Sequence, residues 1–352
     1  MSSSAPLRVI QWATGAVGGR ALRSVITRPE FELAGVLVYD RDKVGRDAGE
    51  LVGLGPVGLA CTDDAERMLA TEADCVLHMP LPASYFGGDP GTDAETICAL
   101  LASGKNVVTT TGFVYPRAYG PGLVDRLEKA CARGGTSLHG TGINPGFMSD
   151  LLPLALTGLS DRLDHIFVRE CSDYRGHPSP HIAADLMGFG REPDDYSTSV
   201  RPFRAFQRAL FGESVQLVAA ALGVPLDEVE ETDEYLLATE DFDIAAGEVR
   251  KGTICASRWV FTGLARGRPF ITVECVYKAD GRRVPQWGDL GFTMHVQGRP
   301  GMAVTIDDMT QGLAGAAAHA VNSIAAVCAA PPGIRTILDL PLATGRGAVR
   351  LA

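Results

Sequence analysis

The 352-residue sequence predicts an α/β protein with an N-terminal doubly wound parallel sheet, followed by an α+β domain with a mainly antiparallel sheet. Over the first 150 residues, short apolar runs alternate with helical patterns, which indicates parallel strands joined by helical crossovers. A glycine-rich turn, WATGAVGG, joins the first run to the first helix. After about residue 155, β-branched and aromatic residues alternate partially, which is typical of an antiparallel sheet covered on one face.

The elements follow in order along the chain. The apolar runs that predict strands of the first sheet are Leu7–Trp12, Glu32–Tyr39, Cys75–His78, Asn106–Thr109 and Ser137–His139. The patterns that predict the intervening helices are Val17–Ile26, Asp93–Ser103 and Gly122–Arg133. Further on, we expect an amphipathic helix over 200–223 and an Ala-rich helix around 306–330 that ends at PPGI. The predicted organisation is a first, α/β domain over 1–155, a second, α+β domain over 156–305, and a C-terminal helix and tail over 306–352 that return to the first domain.

Composition limits the classes of partner. The formal net charge is −10 and charged residues make up 21% of the chain, so nothing resembles the basic footprint of a nucleic-acid-binding protein. The first residues lack a basic stretch followed by an apolar one, so we expect no secretory signal. The uncharged run Met309–Gly333 is long enough for a bilayer, but it is mostly Ala and Gly and includes Gln311, His319 and Asn322. We therefore expect a buried helix in a cytoplasmic protein with no membrane partner.

Metal-binding patterns do not occur in the sequence. The eight cysteines contain no CxxC pair, and no HExxH pattern is present. Scattered cysteines in a cytosolic chain are usually small buried apolar residues. We therefore expect no metal site.

The turn after the first strand has the context of a dinucleotide-binding fingerprint, since a strand precedes it and a helix follows. Ala13, Gly15 and Gly18 occupy the three glycine positions of G-x-G-x-x-G. The second glycine lets the backbone approach a pyrophosphate, and the third lets the helix pack closely on the strand. The backbone N–H groups of Ala16 and Val17 would then face the phosphates at the helix N-terminus. A ligand-free β–α turn is the alternative interpretation.

The end of the second strand bears on the choice of cofactor. Asp40 would accept hydrogen bonds from a ribose diol and repel a 2′-phosphate, which favours NAD. Arg41 and Lys43 could instead pair with that phosphate, which favours NADP, although both could equally be solvated loop charges. Both cofactors stay open, and the two basic residues shift our expectation towards NADP.

Five motifs together resemble one known family. WATGAVG, YDRDKVGRDAGEL, GTGINPGFMSDLLP, MGFG and HAVNSIAAVCAAPPGI occur in order over nearly the whole chain. They resemble the 2,4-diaminopentanoate dehydrogenases and native amine dehydrogenases, which are grouped with dihydrodipicolinate-reductase-like oxidoreductases. The resemblance implies a Rossmann domain, a homodimer, and hydride transfer between a nicotinamide and an imine carbon of a small amine, imine or ketone substrate. The turn and the resemblance together assign these residues to the cofactor: Ala13, Thr14, Gly15, Ala16, Val17, Asp40, Arg41, Lys43, Met79, Pro80, Thr110, Asn144, Pro145, Gly146 and Asn322.

One departure from the family concerns the acid–base group. The resemblance implies a glutamate after the strand at Asn106–Thr109, but the segment 106–116 reads NVVTTTGFVYP and has no carboxylate. Such a carboxylate would accept the ammonium proton and offset the iminium charge. We therefore expect Glu170, Tyr174 and His177, with Asn144, to serve as catalytic residues. The further candidates are Asp173, His181 and His139. Each of these side chains also has an ordinary structural interpretation, as an ion-pair partner, a packing residue or a loop residue.

Three functions follow from these patterns. The first is an NAD(P)-dependent oxidoreductase that acts on C–NH₂ or C=N bonds. The second is a carbonyl reductase that does not need ammonia, with Tyr174 or a histidine as the proton donor. The third is a catalytically weak nucleotide-binding sensor.

Overall fold

The structure, a computed structural model, describes residues 5–83, 91–177, 179–307 and 311–349, and residues 91, 197–199 and 201–202 by their backbone alone. The described strands are β1 (Leu7–Trp12), β2 (Phe31–Leu37), β3 (Cys75–His78), β4 (Asn106–Thr109), β5 (Ser137–Gly140), β6 (Arg162–Asp173), β7 (Glu228–Leu237), β8 (Phe242–Ile244), β9 (Gly247–Val249), β10 (Ile254–Ala265), β11 (Arg268–Lys278), β12 (Gly291–Arg299), β13 (Met302–Ile306) and β14 (Gly333–Ile334). The described α-helices are α1 (Ala16–Thr27), α2 (Ala48–Leu51), α3 (Ala65–Ala70), α4 (Gly91–Ala102), α5 (Pro121–Gly134), α6 (Leu151–Thr157), α7 (Pro193–Ser199), α8 (Arg201–Ala221) and α9 (Gly312–Ala329).

The chain divides into two compact units. The first contains the described parts of Met1–Ala83, Asp89–Phe147 and Gly312–Ala352, and the second contains the described part of Met148–Gln311. The boundary that the sequence suggested, residue 155, lies inside α6.

The first unit is built on a six-stranded sheet in the order β14-β5-β4-β3-β1-β2. Every pairing described in it is parallel, so the predicted doubly wound parallel sheet is confirmed. Because successive side chains of a buried strand point to opposite faces, each strand contributes to two cores. Ile10 packs with residues of α4 and α5 on one face, whereas its neighbour Val9 packs with residues of α1 and α9 on the other.

The helix α9 is long and apolar enough to cross a membrane by length and composition. One side of it is nevertheless buried in the core of the first unit, next to α1 and β4. The sequence placed the start of this helix near residue 306, which is wrong, because 302–306 pair with β12 as the strand β13. Backbone hydrogen bonds to β12 therefore extend the second sheet before the helix begins.

The second unit is built on a six-stranded sheet in the order β13-β12-β6-β11-β10-β7. Its described pairings are antiparallel except that of β6 with β11, which is parallel, so the prediction of a mainly antiparallel sheet is confirmed. The helix α8 covers one face, where Phe203 packs against Trp259 and Phe211 against Phe261. The covered face of this sheet carries the polar side chains described below.

Candidate active site

The turn between β1 and α1 adopts a strained backbone at its first residue. Ala13 has φ +75°, a left-handed conformation that costs a non-glycine residue about 1–2 kcal/mol. The turn is held by the N–H of Ala13, which donates to Leu37 O at 3.0 Å, and by Gln11 Nε2, which donates to Ala13 O at 2.8 Å. The alanine therefore keeps the backbone shape for which the fingerprint normally uses glycine.

The other two glycines of the turn have opposite surroundings. A Cβ atom on Gly18 would lie 2.2 Å from Ala13 O, so only glycine allows the helix this close to the turn. A Cβ atom on Gly15 would meet no protein atom within 4 Å, and Gly15 caps α1 without a side-chain hydrogen bond. Protein packing thus explains Gly18 but not Gly15, whereas a bound pyrophosphate explains Gly15. The residues present fit a dinucleotide, with Thr14, Ala16 and Val17 flanking the open space at the helix N-terminus.

Charged residues of the loop after β2 are tied to this turn. Lys43 Nζ donates to Thr14 O at 3.3 Å and lies 4.0 Å from Asp40 Oδ2. The other oxygen of Asp40 accepts the Asp42 N–H at 3.0 Å. The Arg41 side chain is exposed and has no hydrogen-bond or ion-pair partner among the described residues. Arg41 therefore provides a free guanidinium beside the carboxylate that would bind a ribose.

Next to this pair lies an aromatic side chain that the sequence analysis missed. Tyr39 is 64% exposed although it immediately follows a buried strand segment. Its hydroxyl accepts a hydrogen bond from Trp12 Nε1 at 2.9 Å. The bond fixes an exposed aromatic ring next to Asp40. The sequence signal that could have identified it is the position of an aromatic residue at the end of a predicted strand, directly before Asp40.

The ends of β3 and β4 carry a buried chain of hydrogen bonds that the sequence analysis also missed. His78 Nδ1 lies 3.0 Å from Thr109 Oγ1, which lies 2.8 Å from Thr111 Oγ1. Burial lowers the pKa of His78 to about 3, so the imidazole is neutral at physiological pH. The predicted cofactor residues Met79 and Thr110 extend the sheet at the same ends, since their N–H groups donate to Trp12 O and His78 O, and Pro80 follows half-buried.

The loop after β5 holds the predicted residues Asn144, Pro145 and Gly146. Asn144 is half-buried and Pro145 is buried. Gly146 has φ +117°, and a Cβ atom on it would lie 2.3 Å from Gly142 N, so only glycine fits. From α9, His319 Nδ1 lies 2.7 Å from Thr141 Oγ1, at the start of this loop. The loop conformation is therefore set by close backbone packing and by His319, which the sequence analysis named only as a polar residue of the Ala-rich run.

Two further predicted residues of the first unit, Asn322 and His139, have hydrogen-bond partners within the protein. Asn322 Oδ1 accepts a hydrogen bond from Arg28 at 2.7 Å. Arg28 follows the C-terminal end of α1, whereas Gly15 precedes its first residue, and twelve residues of helix span about 18 Å. His139 is buried, its Nδ1 lies 2.8 Å from Arg335 O, and burial lowers its pKa to about 4. The partner of Asn322 therefore lies at the opposite end of α1 from the turn, and the imidazole of His139 is neutral at physiological pH.

In the second unit, the structure brings Glu170 and Tyr174 together around a tyrosine that the sequence analysis missed. Tyr277 is buried on the α8 side of the sheet, and its hydroxyl accepts a hydrogen bond from Gln207 Nε2 at 2.9 Å. The Tyr174 ring packs edge-on against it at 5.7 Å. Burial, followed by the nearby Cys275 thiol, Glu170 and Tyr174, raises the pKa of Tyr277 well above its usual value. The phenol of Tyr277 is therefore protonated at neutral pH.

The remaining predicted groups lie around this pair. Glu170 Oε1 accepts a hydrogen bond from Ser172 Oγ at 2.7 Å. The His177 ring lies 5.8 Å from that of Tyr174, and burial lowers the pKa of His177. Because His177 Nδ1 accepts the Ser179 N–H at 3.3 Å, the proton of the neutral ring is on Nε2.

Two of the three further acid–base candidates, Asp173 and His181, have partners close in sequence. Asp173 caps a turn through the Arg175 N–H, and His181 pairs with Asp185 at 3.0 Å. Within the described ranges, no group of His, Cys, Asp and Glu side chains could hold a metal ion.

The parallel sheet, the open space at Gly15 and the close packing at Gly18 define a dinucleotide-binding protein of the Rossmann type. Comparisons with known proteins identify its family. Residues 147–349 match the family model described as 2,4-diaminopentanoate dehydrogenase C-terminal domain, and residues 9–118 match the one described as dihydrodipicolinate reductase, N-terminus. The chain belongs to the 2,4-diaminopentanoate dehydrogenase family, as the motifs predicted.

Individual relatives agree over almost the full length of the chain. An amine dehydrogenase of Streptomyces virginiae is 32% identical, over 96% of each protein. A 2,4-diaminopentanoate dehydrogenase of Acetoanaerobium sticklandii is 23% identical, over 96% of this chain and 94% of that protein. The solved structure of an amine dehydrogenase from Mycobacterium smegmatis superposes with a TM-score of 0.81 and 20% identity, covering 97% of this chain and 98% of that one. The last match shows the shared fold. The protein is an oxidoreductase that uses a nicotinamide cofactor, as predicted.

Proposed function

We propose that the protein transfers hydride between a nicotinamide cofactor and the carbon of a C–N bond, as an amine dehydrogenase or imine reductase. The open space at Gly15 is the observation that supports cofactor binding most directly, because no protein atom explains this glycine. Its family relatives are named for the oxidation of amines, which supports a small amine, imine or ketone as the substrate.

The bound cofactor would supply the hydride, and the residues of the first unit would hold it. The N–H groups at the start of α1 would bind the pyrophosphate, and Asp40 would contact the adenosine ribose. The loop 144–146 would contact the nicotinamide. We propose NADP as the preferred cofactor, because Arg41 is exposed and has no partner among the described residues, and because Lys43 already offsets the charge of Asp40. A 2′-phosphate would give Arg41 a charge-assisted partner.

The second unit would supply charge and hydrogen bonds to the substrate. Glu170 would offset the positive charge of the substrate nitrogen. Tyr174 and the protonated phenol of Tyr277 would serve as hydrogen-bond donors to the substrate. His177 would hold the Tyr174 ring in position. We expect Glu170→Gln to lower kcat by at least 100-fold and to leave the Kd for NADPH within twofold. An unchanged kcat would remove Glu170 from the assignment.

The proposed function is tested with the wild-type enzyme, by following NADPH and NADH consumption with ketones plus ammonia, with ketones alone, and with preformed cyclic imines. We expect consumption with ketones only when ammonia is present, and with imines in its absence. Ketone reduction that does not depend on ammonia would instead support a carbonyl reductase. The hydroxyl groups of segment 109–111 and the phenols of Tyr174 and Tyr277 could donate a proton in that reaction too. Cofactor binding without consumption of any substrate would support a sensor.

We also propose that the enzyme is a cytoplasmic homodimer. The face of the second sheet that α8 does not cover carries half-exposed side chains, among them Phe167 and Val260. A second copy would cover them. Sedimentation equilibrium of the purified protein tests this point, and a single species at the monomer mass at micromolar concentration would contradict it.

A further inference from the structure

The hydrogen-bonded chain His78–Thr109–Thr111 has no role in the amine or imine chemistry proposed above. All three side chains are buried, with exposures of 1%, 0% and 6%. The chain begins at the last residue of β3, passes through the last residue of β4 and ends two residues beyond that strand. Since open parallel sheets bind ligands at the carboxyl ends of their strands, Thr111 lies at the edge where the substrate of a nicotinamide enzyme is held.

The hydrogens of this chain admit two arrangements. A threonine hydroxyl has one hydrogen and two lone pairs, and one lone pair of Thr109 accepts the Thr111 N–H at 3.2 Å. Thr109 must therefore accept one hydrogen bond and donate one to its two remaining neighbours. If His78 Nδ1 carries the proton, Thr109 donates to Thr111 and the Thr111 hydrogen points away from the chain. If His78 carries its proton on Nε2, Thr111 donates to Thr109 and only its lone pairs remain available.

We propose that the Thr111 hydroxyl donates the proton to, or accepts it from, the reacting nitrogen or carbonyl oxygen of the substrate. In this proposal His78 is the positioning residue: through Thr109, its tautomer sets the direction in which the hydroxyl hydrogen of Thr111 points. The inference rests on the proposed function and names the proton-transfer group of that same site. The chain would replace the carboxylate that the segment 106–116 lacks.

The proton transfer balances without a charged side chain. In the reductive direction, the substrate nitrogen gains the Thr111 proton, Thr111 takes the Thr109 proton, and Thr109 takes the proton from His78 Nδ1. His78 Nε2 takes up from the solvent the one H⁺ that the overall reduction consumes, so the ring changes tautomer with no change in its net charge. The low pKa of His78 is consistent with a ring that stays neutral throughout.

The proposal is tested by measuring kcat for three single-residue variants of the enzyme. Thr111→Val removes the hydroxyl and keeps the shape, and we expect kcat to fall by about 100-fold while the Kd for NADPH stays within twofold. Thr111→Ser restores the hydroxyl and is expected to keep kcat within threefold of wild type. Thr136→Val is the matched control, because Thr136 is also a buried threonine and donates to Leu101 O at 3.0 Å; it should leave kcat within twofold. A Thr111→Val enzyme with kcat within threefold of wild type, or a Thr111→Ser enzyme as slow as Thr111→Val, would overturn the proposal.

A second readout does not require turnover. In ¹⁵N-histidine NMR spectra, with the His78 signals assigned by their loss in His78→Asn, we expect the wild-type ring to be neutral from pH 5.5 to 8. In Thr111→Val, Thr109 can donate only to His78, so the ring is expected to become fixed with its proton on Nε2. A His78 spectrum unchanged by Thr111→Val, or a protonated ring at pH 6, would overturn the proposal. Failure of the proposed function is recognised separately, by a wild-type enzyme that binds NADPH and turns over no amine, imine or carbonyl compound.

Discussion

The carbonyl oxygen of Ala13 lies where a Cβ atom on Gly18 would be only 2.2 Å away. This contact joins the strained first residue of the turn to the first turns of α1. The same oxygen accepts a hydrogen bond from Gln11 at 2.8 Å, so it cannot move away without breaking that bond. The shape of the turn therefore depends on the absence of a side chain at Gly18. The open space beside the turn depends on the absence of a side chain at Gly15.

Replacement of Gly18 should therefore destabilise the fold. We expect Gly18→Ala to lower the free energy of unfolding by about 3 kcal/mol, because a backbone oxygen is in the way. The matched control is Gly19→Ala, since the nearest atom to its Cβ would be Thr14 O at 3.9 Å; alanine in a helix should raise stability there by up to about 1 kcal/mol. Urea denaturation measures both, and equal stabilities for the two variants would contradict this account of the packing.

Relief of the strain at Ala13 should stabilise the protein. Because glycine adopts a φ of +75° without steric cost, we expect Ala13→Gly to raise the free energy of unfolding by about 0.5–1 kcal/mol. The Kd for NADPH should not change by more than twofold, since the backbone shape is kept. A lower stability would show that the methyl group of Ala13 contributes more through packing than it costs in strain.

Removal of the Arg41 side chain should weaken the binding of NADPH but not that of NADH. We expect Arg41→Ala to raise the Kd for NADPH about tenfold, which corresponds to the loss of one charge-assisted hydrogen bond, and to leave the Kd for NADH within twofold. Arg46→Ala removes the same charge from the same exposed loop and is the control for long-range electrostatics. Fluorescence titration of wild type and the two variants with NADPH and with NADH measures all six dissociation constants. Equal losses for both cofactors would place Arg41 away from the 2′-phosphate.

The buried neutral His139 should make stability depend on pH. Its pKa is lowered from 6.5 to about 4 in the folded state, so the unfolded chain binds a proton below pH 6.5 that the folded protein does not. The stabilisation is therefore complete well above pH 6.5 and is lost as the pH falls towards 4, by about 1.5 kcal/mol between pH 6.5 and 5. In His139→Asn the free energy of unfolding should fall less steeply over this range. An identical slope in the two proteins would show that His139 titrates normally when folded.

Much of the first unit followed from local sequence patterns. The predicted strands Leu7–Trp12, Cys75–His78 and Asn106–Thr109 match the structure to the residue. Polar or turn residues bound each of these short apolar runs, so the first and last residues of the strands could be read from the sequence. The glycine-rich turn was identified despite Ala13, since its position between a strand and a helix carries the information.

The side chains gathered from distant parts of the chain could not be predicted in the same way. Tyr277 and Gln207 are 70 residues apart in the sequence and form a hydrogen bond, because α8 packs on β11. No local sequence pattern predicts that packing. The contact between His78 and Thr109 was within reach, because each ends a predicted strand and the two strands pair in register there. The assignment of Asn322 to the cofactor stays a prediction, and the hydrogen bond that its Oδ1 accepts from Arg28 could not be read from the sequence, because 294 residues separate the two.

The central claim is that a nicotinamide dinucleotide binds over Gly15, and calorimetric titration of wild type and Gly15→Asp with NADPH and NADH tests it most directly. We expect wild type to bind with a micromolar Kd. Gly15→Asp should lose binding by more than 100-fold, because the new carboxylate would occupy the phosphate site. Its free energy of unfolding should be unchanged or higher by a few tenths of a kcal/mol, because aspartate is a good N-cap for α1. A wild-type protein that binds neither cofactor at millimolar concentration, or a folded Gly15→Asp protein that binds as well as wild type, would contradict the account.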